Sequence, residues 1–145
     1  MANSKIQLLI EAWIKNKWLP EKYSKKFSAQ HLQLNTEGCF DAVSADRSIV
    51  ANISTSSCRT ARGKIASAKI QKMRADILFL TMVIADKKII VLCEKDMYDY
   101  LIKEKKNGRV PDEIAFLHAP IPEHLTKALE LARKIAVQEV SPEES

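Results

Sequence analysis

The chain predicts a single α/β domain, residues 1–145, in which helices flank one mixed central sheet. Three observations carry that expectation. Apolar residues recur at helical spacing at both ends of the chain, β-compatible runs fill the middle, and neither an internal repeat nor a long linker divides them. A chain of 145 residues with 46% hydrophobic content is large enough to close one core.

The first segment, Ser4 to about Trp18, places Ile6, Leu9, Ile10, Trp13 and Ile14 on one helical stripe, and Pro20 is expected to end it. Gln30–Leu34 reads as a short strand. Cys39–Ala45 and Ser48–Thr55 form two arms of an antiparallel hairpin joined around Asp46-Arg47. In the first arm Phe40 and Ala42 are expected on one face and Asp41 and Val43 on the other. In the second, Ile49, Ala51 and Ile53 alternate with Val50, Asn52 and Ser54. Ser56–Lys64 is polar and basic, so it reads as a loop, and a helix of about ten residues should follow to Arg74. The apolar runs Ile77–Ile84 and Ile89–Cys93 read as buried central strands. Asp96–Lys106 is a short helix and KKNGRVPD a loop. Ile114–Leu117 is an edge strand, and Pro122 to Val137 is an amphipathic helix with Leu125, Leu129, Ala132 and Ile135 as its stripe.

Composition excludes several classes. No apolar run reaches the roughly 20 residues of a membrane span, and the N-terminus lacks the pattern of a signal peptide. Three scattered cysteines suit reduced thiols in a cytoplasmic protein rather than a disulfide framework. His31, His118 and His124 lack the spacing of a zinc site.

The distribution of charge points to a partner. Residues 1–75 hold 13 basic and 5 acidic side chains, whereas residues 76–145 hold 10 and 13. Between Arg47 and Ala75 there are seven basic residues and no acidic one, an electrostatic footprint for a polyanion. Arg59, Arg62, Lys64, Lys69, Lys72 and Arg74 are the candidate nucleic-acid contacts. Ser56 and Ser57 are hydroxyl donors beside them, and Gly63 allows close backbone approach.

A helix, then the strands FDAVSAD and IVANISTSS, then a basic helix and further strands, form a sequence that resembles the PD-(D/E)XK superfamily, the restriction-endonuclease-like nucleases. The resemblance covers roughly residues 4 to 95. It implies a restriction-endonuclease-like mixed sheet, double-stranded DNA as partner, room for a homodimer, and Mg2+ as the cofactor of an active member. Asp41 stands where the family carries its metal-binding Asp. Asn52-Ile53-Ser54 stands where the next strand carries an acid, any residue and Lys, so Asn52 replaces the acid and Ser54 the lysine.

The departure matters chemically. An Asn carbonyl brings no charge to a hard cation, and a serine hydroxyl cannot do the work of an ammonium group. Glu11 on the first helix, with Lys64, Lys69 or Lys72 from the following helix, are the residues that would have to make up the loss. The expectation is a DNA-binding domain with impaired catalysis. The alternatives are an active Mg2+-dependent endodeoxyribonuclease with a displaced site, and a non-enzymatic protein-interaction module.

Overall fold

A computed structural model describes residues 4–31, 39–60 and 62–144. Its elements run α1 (Ser4–Trp13), a π-helical turn (Ile14–Trp18), α2 (Leu19–Tyr23), β1 (Phe27–His31), β2 (Cys39–Ser44), β3 (Ile49–Ser54), α3 (Ser67–Thr81), β4 (Lys87–Leu92), α4 (Lys95–Lys106), β5 (Ile114–His118) and α5 (Glu123–Glu144). The five strands form one mixed sheet in the order β1-β2-β3-β4-β5. β2 is antiparallel to β1 and β3, whereas β3, β4 and β5 are mutually parallel.

The sheet is covered on both faces. Val50, Ile90, Leu92 and Phe116 pack against Ile70, Met73 and Leu80 of α3 and Met97 and Leu101 of α4. Ala51, Ile53, Ile89 and Val91 pack on the other face with Ile6, Ile10, Ile14 and Leu19 of the N-terminal helix and Leu125 and Leu129 of α5. Every residue of β3 is buried, as is β4 beyond Lys87, which fits the apolar character of central parallel strands. Trp13 and Trp18 are half-buried at the edge of the second cluster.

Several expectations are corrected. Pro20 does not stop the first helix. The preceding turn widens so that the Leu19 N–H reaches the Ile14 carbonyl, and the chain continues helically until Ser24 turns left-handed at φ 55°. A wider turn relieves the clash that a proline ring makes with the carbonyl four residues back. The first strand begins earlier than expected, at Phe27, and the rest of the expected Gln30–Leu34 strand lies outside the described residues beyond His31.

Ile77–Ile84 is not a strand. Ile77 and Leu80 continue the buried stripe of Ile70 and Met73 at helical spacing, while Leu78 and Met82 are exposed and Ile84 is fully exposed. Parallel β3 and β4 need a crossover of a dozen or more residues between them, and α3 is that crossover. β4 starts at Lys87, two residues before the expected Ile89–Cys93 strand. α5 runs past Val137 to Glu144, and Ile135 is 40% exposed rather than part of the buried stripe. Phe40 and Ala42 do not share a face: Phe40 joins the α3/α4 side with Val43, and Ala42 the opposite side.

Candidate functional site

Strand direction gathers the candidate residues at one end of the sheet. β3, β4 and β5 all finish there, at Ser54, Leu92 and His118, and antiparallel β2 starts there. The segment after β3 and the first turns of α3 and α4 therefore lie at the carboxyl ends of the parallel strands, where open α/β sheets commonly bind ligands.

Asp41 and Asn52 meet one step beyond the Ala42–Ala51 pair. The Asp41 carboxylate accepts the Ile53 N–H at 2.8 Å, and the Asn52 side-chain oxygen accepts the Asp41 N–H at 3.2 Å. The two side chains thus replace ladder hydrogen bonds where β2 departs from β3. Asn52 is 5% exposed and Ser54 4%, and the Ser54 hydroxyl accepts the Ser56 N–H at 3.2 Å. Both stand-in residues are committed to the backbone.

Glu11 of α1 and Asp76 of α3 lie within electrostatic reach of Asp41. Burial pushes the Asp41 pKa up, against the Ile53 amide, Lys72 and Lys15, which pull it down. Burial and then the Asp41 charge raise Glu11, opposed by Lys72 and Lys15. Asp76 is pushed up to about 6, by burial first and Asp41 in addition, while Lys72 pulls it down. Lys72 sits 4.0 Å from Asp76, one turn away on α3, and is the cation that all three carboxylates share.

Asp76 escaped the sequence reading because the helix was expected to end at Arg74. The i, i+4 spacing of Lys72 and Asp76 was the available signal. Among the described residues no three His, Cys, Asp or Glu side chains gather as a metal site. Asp41 brings the pair's single negative charge and is held by the Ile53 N–H, and the Asn52 oxygen is taken by the Asp41 N–H, so the two by themselves fit poorly to the ligand set that Mg2+ requires.

In the segment expected as a loop, described residues on either side of Ala61 pair with one another as a small finger. Arg59 and Ile65 form an antiparallel bridge, the Ala66 N–H donates to the Cys58 carbonyl at 2.8 Å, and the Thr60 N–H donates to the Lys64 carbonyl at 2.7 Å. At the tip Gly63 holds φ +80°, with nothing within 4 Å of where a Cβ would sit. Glycine is required there for its backbone conformation, not for close approach.

The Arg59 guanidinium donates to the Gly63 carbonyl at 2.9 Å and braces the finger. Arg74 pairs with Glu104 of α4 at 3.4 Å, and the Ser57 hydroxyl donates to Asp96 at the start of α4. These three are structural ties. Arg62, Lys64, Lys69 and Lys72 are exposed on the finger and the first turns of α3, and Ser56 is half-buried between β3 and the finger.

Cys58 lies at the finger's base with its pKa raised by burial and Asp96, which Arg59 only partly offsets. Burial pushes Cys93 up to about 12. Neither thiol has the depressed pKa of a nucleophile. No helix among the described residues is long and apolar enough to cross a membrane. No protein-family model matches the chain, and no curated protein or solved structure matches it.

Proposed function

We propose that the protein is a nucleic-acid-binding domain of the restriction-endonuclease-like kind, with duplex DNA as partner and with its catalytic positions given over to structure. The observation that carries this is the exposure of Lys64, Lys69 and Lys72 at the carboxyl end of the parallel strands, with Lys72 within electrostatic reach of Asp41. Cations there neutralise phosphates and release counterions on binding. The order helix, strand meander, helix, strand, with β2 antiparallel to its neighbours, is the arrangement that the resemblance to the PD-(D/E)XK superfamily implies, and it supports the fold assignment.

Binding of a labelled DNA duplex by the full chain should weaken steeply with added salt. Replacing Lys69 and Lys72 together with alanine should reduce the log–log salt slope by about 2, from the roughly 0.9 that each neutralised phosphate contributes. No DNA or RNA affinity at low salt would overturn the proposal.

Phosphodiester cleavage is a second function that one observation favours: Glu11, Asp41 and Lys72, one residue from each of three elements, fall within one another's electrostatic reach. Plasmid nicking with Mg2+ or Mn2+ that disappears in Asp41→Ala would establish it over binding alone.

A further inference from the structure

We propose that Lys15, on the π-helical turn of the N-terminal helix, contacts nucleic-acid phosphate together with Lys72, so that the bound backbone crosses the carboxyl end of the sheet from α3 to the N-terminal helix over the start of β2. The inference rests on the nucleic-acid role proposed above and adds a contact residue and the path of the strand.

The two lysines belong to helices on opposite faces of the sheet. α3 packs on one face through Ile70 and Met73, and the N-terminal helix on the other through Ile10 and Ile14. Between them stands Asp41, near the start of β2, with its carboxylate fixed by the Ile53 N–H at 2.8 Å. The charges of Lys15 and Lys72 both pull down the pKa of Asp41 and of Glu11. Each lysine therefore reaches the same pair of carboxylates from its own side of the sheet, and a strand laid across that end meets both.

Lys15 owes its place to the helix that carries it. It stands four residues after Glu11, the spacing at which an acid and a base meet on a helix surface. Its neighbour Ile14 is fully buried and anchors the turn, and the Leu19 N–H reaches back to the Ile14 carbonyl across the wider ring. Single π-helical turns inside α-helices are frequent at functional sites. Lys15 is half-buried there, whereas Lys17 on the same turn is exposed. On the other side, the Lys72 Nζ lies 4.0 Å from Asp76, and the Lys72 side chain is 66% exposed against 17% for the acid. That cation is thus presented to a ligand while the acid behind it is set deeper. Lysines already held by carboxylates have less side-chain entropy to lose when a phosphate arrives. Phosphate contacts of this kind set the position of a strand without reading its sequence.

The test is a salt titration of a labelled DNA duplex with the full chain. Lys15→Ala should reduce the log–log salt slope by about 1 and weaken binding about fivefold to tenfold near about 0.1 M salt. Lys17→Ala removes the same charge from an exposed position on the same turn, and should change the slope less than about half as much, because solvent screens a charge that touches no phosphate. Lys15→Ala combined with Lys72→Ala should reduce the slope by about 2, since the two lysines take separate phosphates. Lys15→Arg keeps the charge and should hold the wild-type slope. An unchanged slope in Lys15→Ala, an equal loss in Lys17→Ala, or an equal loss in Lys15→Arg would overturn the role of Lys15 and leave the nucleic-acid role standing. No binding of the duplex by the wild type at low salt would overturn both.

Discussion

Asn52 carries out a structural task at the position where the resemblance implies an acid. Its side-chain oxygen satisfies the Asp41 N–H at a point where the β2–β3 ladder has run out, and it does so almost fully buried. Asn52→Ala should strand that amide and cost about 1–3 kcal/mol, the range for a buried donor left unpaired. Urea denaturation measures it, and an unchanged midpoint would show that water takes the amide's bond. Asp76 presents the opposite case, a carboxyl destabilised by its surroundings. Its folded pKa, about 6, exceeds its ordinary value of 3.8. Between those values the folded state holds a proton that the unfolded chain has released, so stability falls as pH rises across that window and levels off above it. Asp76→Asn should flatten this dependence and stabilise the protein above pH 6. The gain is about 1–2 kcal/mol, below the roughly 3 kcal/mol that two pKa units imply because the side chain keeps some solvent contact. Denaturant midpoints on both sides of pH 6, in wild type and variant, give the answer.

Arg133 ties α5 to the functional end of the sheet. Arg133 donates to the Glu94 carboxylate at 3.0 Å and to the Thr55 carbonyl at 2.6 Å, tying the helix to the ends of both β4 and β3. Arg133→Ala should cost about 1–2 kcal/mol through the unpaired carbonyl and the lost ion pair. Amide exchange should quicken in the second half of α5 and not in α3; uniform protection would mean that the apolar contacts alone hold the helix. α3 and α4 are joined by another buried tie. Glu104 is 7% exposed and sits 3.4 Å from Arg74 and 3.2 Å from Arg109. Desolvation pushes its pKa up, but the Tyr100 hydroxyl and the two guanidiniums prevail and hold it below the usual carboxylate range. That tie explains why Arg74 is unavailable to a phosphate, although its sequence neighbours Lys69 and Lys72 remain exposed. Helical periodicity identified α1, α4 and α5 well. It failed for the second half of α3, because the apolar run Ile77–Ile84 is compatible with either period until the parallel pairing of β3 with β4 demands a helix.

Across the whole molecule the two ends of the sheet differ in chemistry. One end carries the finger, the α3 lysines and the Glu11–Asp41–Asp76 carboxylates, while Leu78, Met82 and Ile84 lie exposed at the other, before β4. The carboxylates share Lys72, so their ionisation should oppose phosphate binding at that lysine. With Asp76 near 6 and Glu11 and Asp41 also raised, DNA affinity at fixed salt should increase as pH is lowered from about 8 to about 6. Asp76→Asn should remove part of that increase. Anisotropy titrations across the pH range would show it, and a flat profile would separate the carboxylates from the binding surface.

The linear sequence was enough to establish the α/β class, the Asp46-Arg47 hairpin, the alternation of β3 and the basic stretch free of acid from Arg47 to Ala75. Each is a local property, set by side-chain period, turn chemistry or charge within a short window. Tertiary structure alone decided that Arg59, Arg74 and Ser57 serve as structural ties, because their partners, Glu104 and Asp96 among them, are distant in sequence or formed by the turn itself. It also decided that Glu11, Asp41 and Asp76 share one environment, since strand direction and the α3 crossover bring together groups 30 and 35 residues apart in the chain. Burial and long-range charge set their pKa values, and neither is a property of a residue's neighbours in sequence.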